Sequence, residues 1–302
     1  MKIAFIACEY NPFHNGHKYH LDTIKKAGFD AIVCIMSGNF VQRGDIALFE
    51  KHKRAQTAIM NGADIVIELP LKFAVSTASH FADGFIKTAK ATGLMGSVSF
   101  GAKSSIDDLM YLEEHLFCDD ADEFCSKKVR EGINYPNAKK DFIEEKLGEH
   151  YSKILSDGNN TLALEYLRAK KLYFSEADVF CIERIGADHD SDTVSSVFCS
   201  ASFLRERIYA NNDSALAEKI GCFIPDNTLQ LIESLAEEGR FPRDLNRFEA
   251  SMLARLSMSD ASYFSEINNV TEGLENRIAE AIKISNKTNK TLFSCQIFFI
   301  FF

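Results

Sequence analysis

With 302 residues, 46% hydrophobic and 25% charged, the chain has the composition of a soluble globular protein of one large domain or two modest ones, which excludes disordered and fibrous classes. A net charge of −9 excludes a general polyanion binder, because sequence-independent attraction to phosphate backbones needs a positive surface. The eight cysteines form no C-x-x-C pair and have no histidine at zinc-finger spacing, so they read as buried small hydrophobes in a reducing cytoplasm.

Residues 3–8 are a short apolar run that Glu9 stops before it reaches secretory length, and they predict a first buried strand. Residues 18–27 place Leu21, Ile24 and Ala27 on one helical face, with Gly28 as the stop. Strands follow over 31–36, 65–69 and 98–100, each rich in β-branched residues and bounded by turn formers. Helices over 50–60 and 79–92 separate them, ending at Gly62 and Gly93. Strand and helix alternating at this spacing imply parallel pairing with right-handed crossovers, hence a doubly wound α/β domain.

From residue 104 the pattern turns helical and highly charged, which predicts a helical insertion over about 104–157. A helix over 160–171, a fifth strand over 179–185 and a helix from 202 to 210 complete a five-stranded, Rossmann-like domain over 1–210. Beyond Pro225 apolar stripes such as Leu229, Ile232 and Leu235 predict helix to about residue 290, so 211–302 reads as a helical C-terminal domain. No apolar run approaches the roughly twenty residues that a membrane-crossing helix needs.

The segment "EYNPFHNGHKYH", residues 9–20, leaves the carboxyl end of the first strand and opens a helix. Ligands of open α/β sheets bind at strand carboxyl ends, and a helix N-terminus offers free N–H groups and partial positive charge to phosphate. His14 and His17 add two donors there, and Gly16, lacking Cβ, lets the backbone approach a ligand. H-x-G-H in this position is therefore a grip for a nucleotide triphosphate.

That element resembles the H-x-G-H nucleotidyltransferase superfamily, and the longer string "EYNPFHNGH" resembles the tRNA(Met) cytidine acetate ligase family. Matching stretches follow in order: "MSGNFVQRGD", "GADIVIELP", "FG", "NNTLALEYL", "ERIGADHD" and "SASFLR", at residues 36–45, 62–70, 100–101, 159–167, 183–190 and 200–205. The resemblance implies a nucleotidyltransferase fold and a two-step reaction with ATP and Mg²⁺. Acetate is activated as acetyl-adenylate with release of pyrophosphate, and the acetyl group passes to N4 of the wobble cytidine of elongator tRNA(Met), without acetyl-CoA.

By the same resemblance His14 and His17 are the catalytic pair, and ATP lies along Ala7, Cys8, Glu9, Tyr10, Asn11, Pro12, Phe13, His14, Asn15, Gly16, His17, Lys18, Tyr19 and His20. His20, one turn beyond His17, is expected at the helix surface. Gly101, Asn160, Arg184, Ser202 and Arg205 are the family's further nucleotide contacts. Asn160 would otherwise cap its helix, Arg184 would pair with Glu183 or Asp188, Ser200 would be an N-cap, and Gly101 would be an ordinary turn glycine. Glu9 either orients His17 or is a helix-end acid.

For tRNA, Lys51 and Arg54 in "EKHKR" match basic positions of the family, beside Gln42 and Arg43. The alternative for such a run is a solvated helix face. Asp64, Glu68 and His80, close to the third strand, are expected in buried structural roles.

The chain departs from the family pattern at Lys103, where an acidic residue is usual, and at Ala163 in place of glycine. It departs most after about residue 290, where "SNKTNKTLFSCQIFFIFF" reads as a truncated or frame-shifted end. Two other readings stay open: an adenylyltransferase for a small phosphorylated metabolite, and an ATP-binding protein without catalysis. A synthetase-like reading lacks the lysine-rich K-M-S-K-S loop.

Overall fold

Five short apolar segments pair side by side as β1 (Ile3–Cys8), β2 (Ala31–Ser37), β3 (Ile65–Leu69), β4 (Ser97–Ala102) and β5 (Asp178–Glu183). The computed structural model describes residues 1–42, 44–184, 197–210, 215–266 and 275–280, together with Ile282. The sheet order is β3-β2-β1-β4-β5 and every pairing is parallel, with Ile6 opposite Cys34 on one side and Ser99 on the other. The central strands β1 and β2, covered on both faces, need no polar alternation, which is why they read IAFIAC and AIVCIM, whereas the edge strands β3 and β5 carry Glu68, Asp178 and Glu183 at exposed positions.

The faces of β1 go to two layers. Ala4, Ile6 and Cys8 pack with Leu21 and Ile24 of α1 (Asn15–Lys26) and Ala58 of α2 (Lys51–Met60). Ile3 and Phe5 pack instead toward α3 (Leu71–Ala74), α4 (Ala78–Ala91) and the helices that follow β4. Each such apolar side chain, once fully buried, contributes about 1.5–3 kcal/mol. Chain direction across the sheet reverses between β1 and β4, so the carboxyl ends of those two strands flank the switch point.

Between β4 and β5 the chain makes α5 (Ile106–Leu116), α6 (Asp119–Arg130), α7 (Tyr135–Leu147), α8 (Glu149–Ile154) and α9 (Gly158–Tyr173). The first four make up the predicted insertion. Helix α9 starts two residues earlier than the sequence indicates, because Asp157 caps it by accepting the N–H groups of Asn159 and Asn160. Ala27 is exposed rather than on the buried face, since α1 ends before it and Gly28 turns the chain at φ 79°.

After β5 come α10 (Ala201–Tyr209), α11 (Leu216–Ile220) and α12 (Asp226–Glu237). The helix expected to run on from there is interrupted at Gly239 (φ 71°) and Pro242, which cannot continue it, before α13 (Glu249–Ser257) and α14 (Ala261–Ser265). The segment after residue 290 lies outside the described residues. These helices share a core with the β2–α2 connection: Leu48 and Phe49 pack among Leu204, Ile208, Phe223, Ile232 and Phe241. Glu50 at the end of that connection accepts from Arg240 (2.6 Å) and pairs with Arg243 (3.0 Å).

Candidate active site at the ends of β1 and β4

Beyond Cys8 the chain turns sharply. Tyr10 is a buried non-glycine residue with φ 46°, a left-handed conformation that costs of order 1–3 kcal/mol and persists only where packing enforces it. Its ring sits edge-on to Phe13 and to His17, both at 4.8 Å, and its hydroxyl meets Cys34 Sγ at 3.4 Å.

The turn delivers His14 to the N-cap of α1. His14 Nδ1 accepts the Gly16 N–H (3.0 Å), and His17 Nδ1 accepts the His14 N–H (3.2 Å), so the two imidazoles form a reciprocal capping box. The rings stack with centroids 3.6 Å apart. Because each Nδ1 accepts, the proton of each neutral ring resides on Nε2, and both histidines carry an Nε2–H donor. Gly16 has a different reason from the expected one. A Cβ there would lie 2.9 Å from His14 Cε1, so the glycine makes room for the imidazole that folds back over it.

Burial, reinforced by Arg184, pulls the His14 pKa to about 3 and that of His20 to about 4. His17 is driven well below its ordinary value by burial, then by His14, Arg184 and His20. All three rings are neutral at pH 7. For His14 the native state refuses a proton that the unfolded chain takes up below its ordinary pKa of 6.5. Its contribution is therefore intact above that value and lost as the pH falls toward 3, on the order of 2 kcal/mol by pH 5. His14→Asn, which can still cap the Gly16 N–H, is expected to flatten the fall in urea-unfolding free energy between pH 7 and 5 by that amount. An unchanged slope would show that His14 is not held neutral.

His20 is not a surface residue. Its Nε2 meets Ser99 Oγ of β4 at 2.9 Å, so the side chain turns inward across the switch point. Arg184 follows β5, where its N–H donates to Ala102 O (2.9 Å). Its side chain forms no hydrogen bond or ion pair among the described residues, and although the residue is solvent-exposed, partial desolvation of its head lowers its pKa against the pull of Asp157. Gly101 belongs to this arrangement: a Cβ on it would come within 3.0 Å of Arg184 Cγ, so the missing side chain is the track along which the arginine stem runs.

Asn160 neither caps its helix nor has hydrogen-bonding capacity to spare. Its Oδ1 accepts from Lys103 N and Ser104 N (3.0 and 3.3 Å), and its Nδ2 donates to Ser104 Oγ and Ile154 O (3.0 and 3.3 Å). It shapes the β4–α5 turn instead. A groove of about 440 Å³ opens beside it, lined by Lys103, Ser104, His150, Lys153, Ile154, Ser156 and Asp157. Lys103, the departure from the family pattern, pairs with Asp157 at 3.1 Å, and Ala163 is buried in the core.

Other residues of the stretch anchor it. Asn15 Nδ2 donates to Val197 O and Cys222 O, Tyr19 stacks edge-on to Phe198, and Lys18 pairs with Asp22. Arg205 in α10 reaches back to Asn11 O (2.9 Å). Ser202 Oγ lies 2.9 Å from the Oγ of Ser200, which caps α10 through the Phe203 N–H.

The basic segment is rearranged most. Arg54 is fully buried, so it cannot touch tRNA as the sequence indicated: its guanidinium donates to Glu9 O, Ser37 O and Gly38 O at the ends of β1 and β2. Lys51 pairs with Glu68 at 2.6 Å. Gln42 donates its N–H to Glu9 Oε1 (2.7 Å), so Glu9 orients the β2–α2 connection and not His17. Arg43 lies outside the described residues. Asp64, Glu68 and His80 have structural roles but at exposed positions, Asp64 accepting from Lys25 and Ile32 N, Glu68 pairing with Lys51, and the His80 N–H donating to Thr77 Oγ1, its helix cap.

Sequence reasoning passed over Ser37 altogether. Its hydroxyl is buried at the end of β2 without a partner, and a lone serine at a strand end carries no pattern. Among the described residues no group of three or more His, Cys, Asp or Glu side chains could hold a metal ion, and no helix is long and apolar enough to cross a membrane.

Comparison with known proteins gives consistent matches. The model of the HIGH Nucleotidyl Transferase family matches residues 1–296. The tRNA(Met) cytidine acetate ligase of Thermosipho melanesiensis is 32% identical over 97% of this chain and 69% of its own. That of a Thermoanaerobacter species is 36% identical over 96% and 71%. Among solved structures, Thermotoga maritima TmcAL bound with alpha-thio ATP superposes with a TM-score of 0.86 at 28% identity, covering 99% of this chain and 73% of that one.

Proposed function

Because the chain belongs to the tRNA(Met) cytidine acetate ligase family of HIGH nucleotidyl transferases, we propose that its histidine loop joins acetate to ATP and that the acetyl group is then carried to tRNA(Met). The observation that supports this most directly is the stacked His14–His17 pair, which carries two Nε2–H donors at the N-terminus of α1 and shares the switch point with Arg184.

In the first step a carboxylate oxygen of acetate bonds to the α-phosphorus of ATP. The bond from that phosphorus to the bridging oxygen breaks, and pyrophosphate leaves with the electron pair. Such displacement needs positioning and stabilisation of charge rather than covalent help. His14 and His17 donate Nε2–H to phosphate oxygens, and the Arg184 cation adds charge where the local environment is partly desolvated. In the second step N4 of the wobble cytidine of elongator tRNA(Met) attacks the acetyl carbonyl, AMP departs, and N4 loses a proton. Mg²⁺ enters as part of the MgATP substrate. The donors at this site are imidazole and guanidinium N–H groups, which suit phosphate oxygens, whereas a hard cation stays with the triphosphate and water. The groove beside Asn160 offers space for the base and ribose, and Gln42 and Lys51 are the described residues of the stretch assigned to tRNA.

ATP–pyrophosphate exchange tests this reading. Exchange is expected with acetate, and N4-acetylcytidine is expected in tRNA incubated with the chain, ATP and acetate. Exchange supported by nicotinate mononucleotide or phosphopantetheine and not by acetate would make it an adenylyltransferase for a phosphorylated metabolite.

A further inference from the structure

Among the described residues four buried side-chain atoms lack a partner, and three of them are donors: Asn11 Nδ2, Ser37 Oγ and Arg54 Nε. Their residues are 2%, 0% and 0% exposed. Burying a donor unpaired is costly, and burying a guanidinium without a carboxylate is costlier still. Arg54 meets only carbonyls, those of Glu9, Ser37 and Gly38. The charges that favour its ionised form, Glu9 and Glu68, act from beyond contact distance, and its nearest neighbours supply no ion pair.

These three residues converge because β1 and β2 are neighbours in the sheet. Ser37 closes β2, Asn11 lies three residues past β1, and Arg54 joins the two strand ends through its carbonyl contacts. Asn11 is fixed with its carboxamide oxygen on Leu48 N (2.8 Å), so its NH₂ is the free end. His14 starts the phosphate-gripping helix three residues further on. A permanent positive charge with three unused N–H or O–H groups is the complement of a small carboxylate, whose two oxygens accept about four hydrogen bonds.

We propose that Asn11, Ser37 and Arg54 form the carboxylate subsite that holds acetate beside the α-phosphate. This rests on the ligase reading above. One acetate oxygen is held by these donors and the other is left for attack on phosphorus. The loop that carries Asn11 is tied to the β2–α2 connection through Gln42 N–Glu9 and Leu48 N–Asn11.

Two conservative variants of the whole chain test the subsite. Ser37→Ala removes a hydroxyl that bonds nothing in the free protein. Asn11→Asp keeps the oxygen on Leu48 N and replaces the free NH₂ with an acceptor. In acetate-dependent exchange, Ser37→Ala is expected to raise KM for acetate about tenfold and Asn11→Asp by more, as for loss of a hydrogen bond to a charged group. In Ser37→Ala the KM for ATP should stay within about twofold and the thermal midpoint should not fall. If the wild-type chain exchanges with acetate but both variants keep its acetate KM, the donors hold a buried water and the subsite is wrong. If the wild-type chain fails to exchange with acetate, the ligase reading itself fails first.

Discussion

His17→Asn lowers acetate-dependent ATP–pyrophosphate exchange by about 10²–10³-fold while the protein stays folded; this is the expected loss for one preorganised donor at a centre of developing charge. The substitution is chosen from the geometry. His17 has one bond made and one donor left, since its Nδ1 accepts the His14 N–H and its Nε2–H makes no hydrogen bond among the described residues. Asparagine reaches only as far as the first, so the capping box survives and the outward donor is lost. Loss of ring contacts with Tyr10 and Phe13 costs of order 1 kcal/mol, visible as a small drop in thermal midpoint. His17→Ala removes both functions and should show an added loss of helix stability of about 1 kcal/mol. Exchange by His17→Asn within about threefold of wild type would take His17 out of the chemistry.

Arg54→Met is expected to lose on the order of 2–3 kcal/mol in urea unfolding, because three strand-end carbonyls lose their donor, whereas Lys51→Met changes stability by less than about 1 kcal/mol. The two residues are three apart in one basic run, yet their surroundings differ completely. Lys51 forms a partly exposed pair with Glu68, where solvent screens the charge and side-chain entropy offsets the gain. Arg54 is sealed from water, and removing its guanidinium strands the carbonyls of Glu9, Ser37 and Gly38. Arg54→Lys should fall between, because a point charge with three donors cannot reproduce a planar fork across three acceptors. Equal stability of Arg54→Met and wild type would show that the guanidinium does not staple β1 to β2. Charge reversal at this pair, the natural test of a tRNA-binding patch, would therefore report on folding through Arg54 and on tRNA only through Lys51.

What could be read from the chain alone follows from how locally each signal is encoded. The strands were legible because each is a short run with apolar, often β-branched residues between turn formers, most continuous in β1 and β2, which are covered on both faces. His14-x-Gly16-His17 was legible because a cap, a first-turn residue and the glycine between them lie within four positions. The ordered matches downstream likewise pointed to the family that the relatives bear out.

The roles of Arg54, Asn160, His20 and Ser37 depended on residues far away in sequence. A charged run such as "EKHKR" is ordinarily solvated, and nothing in it says that its last member passes under two strand ends. Asn160 follows the cap position of a helix, but its carboxamide is taken up by a turn 56 residues earlier. The sequence by itself determined which elements form and that a phosphate grip stands after β1, since periodicity and capping act over a few residues. Only the tertiary structure decided which polar groups are spent on holding strand ends together and which are left with bonds to give, because that balance is set by contacts that the order of residues does not display.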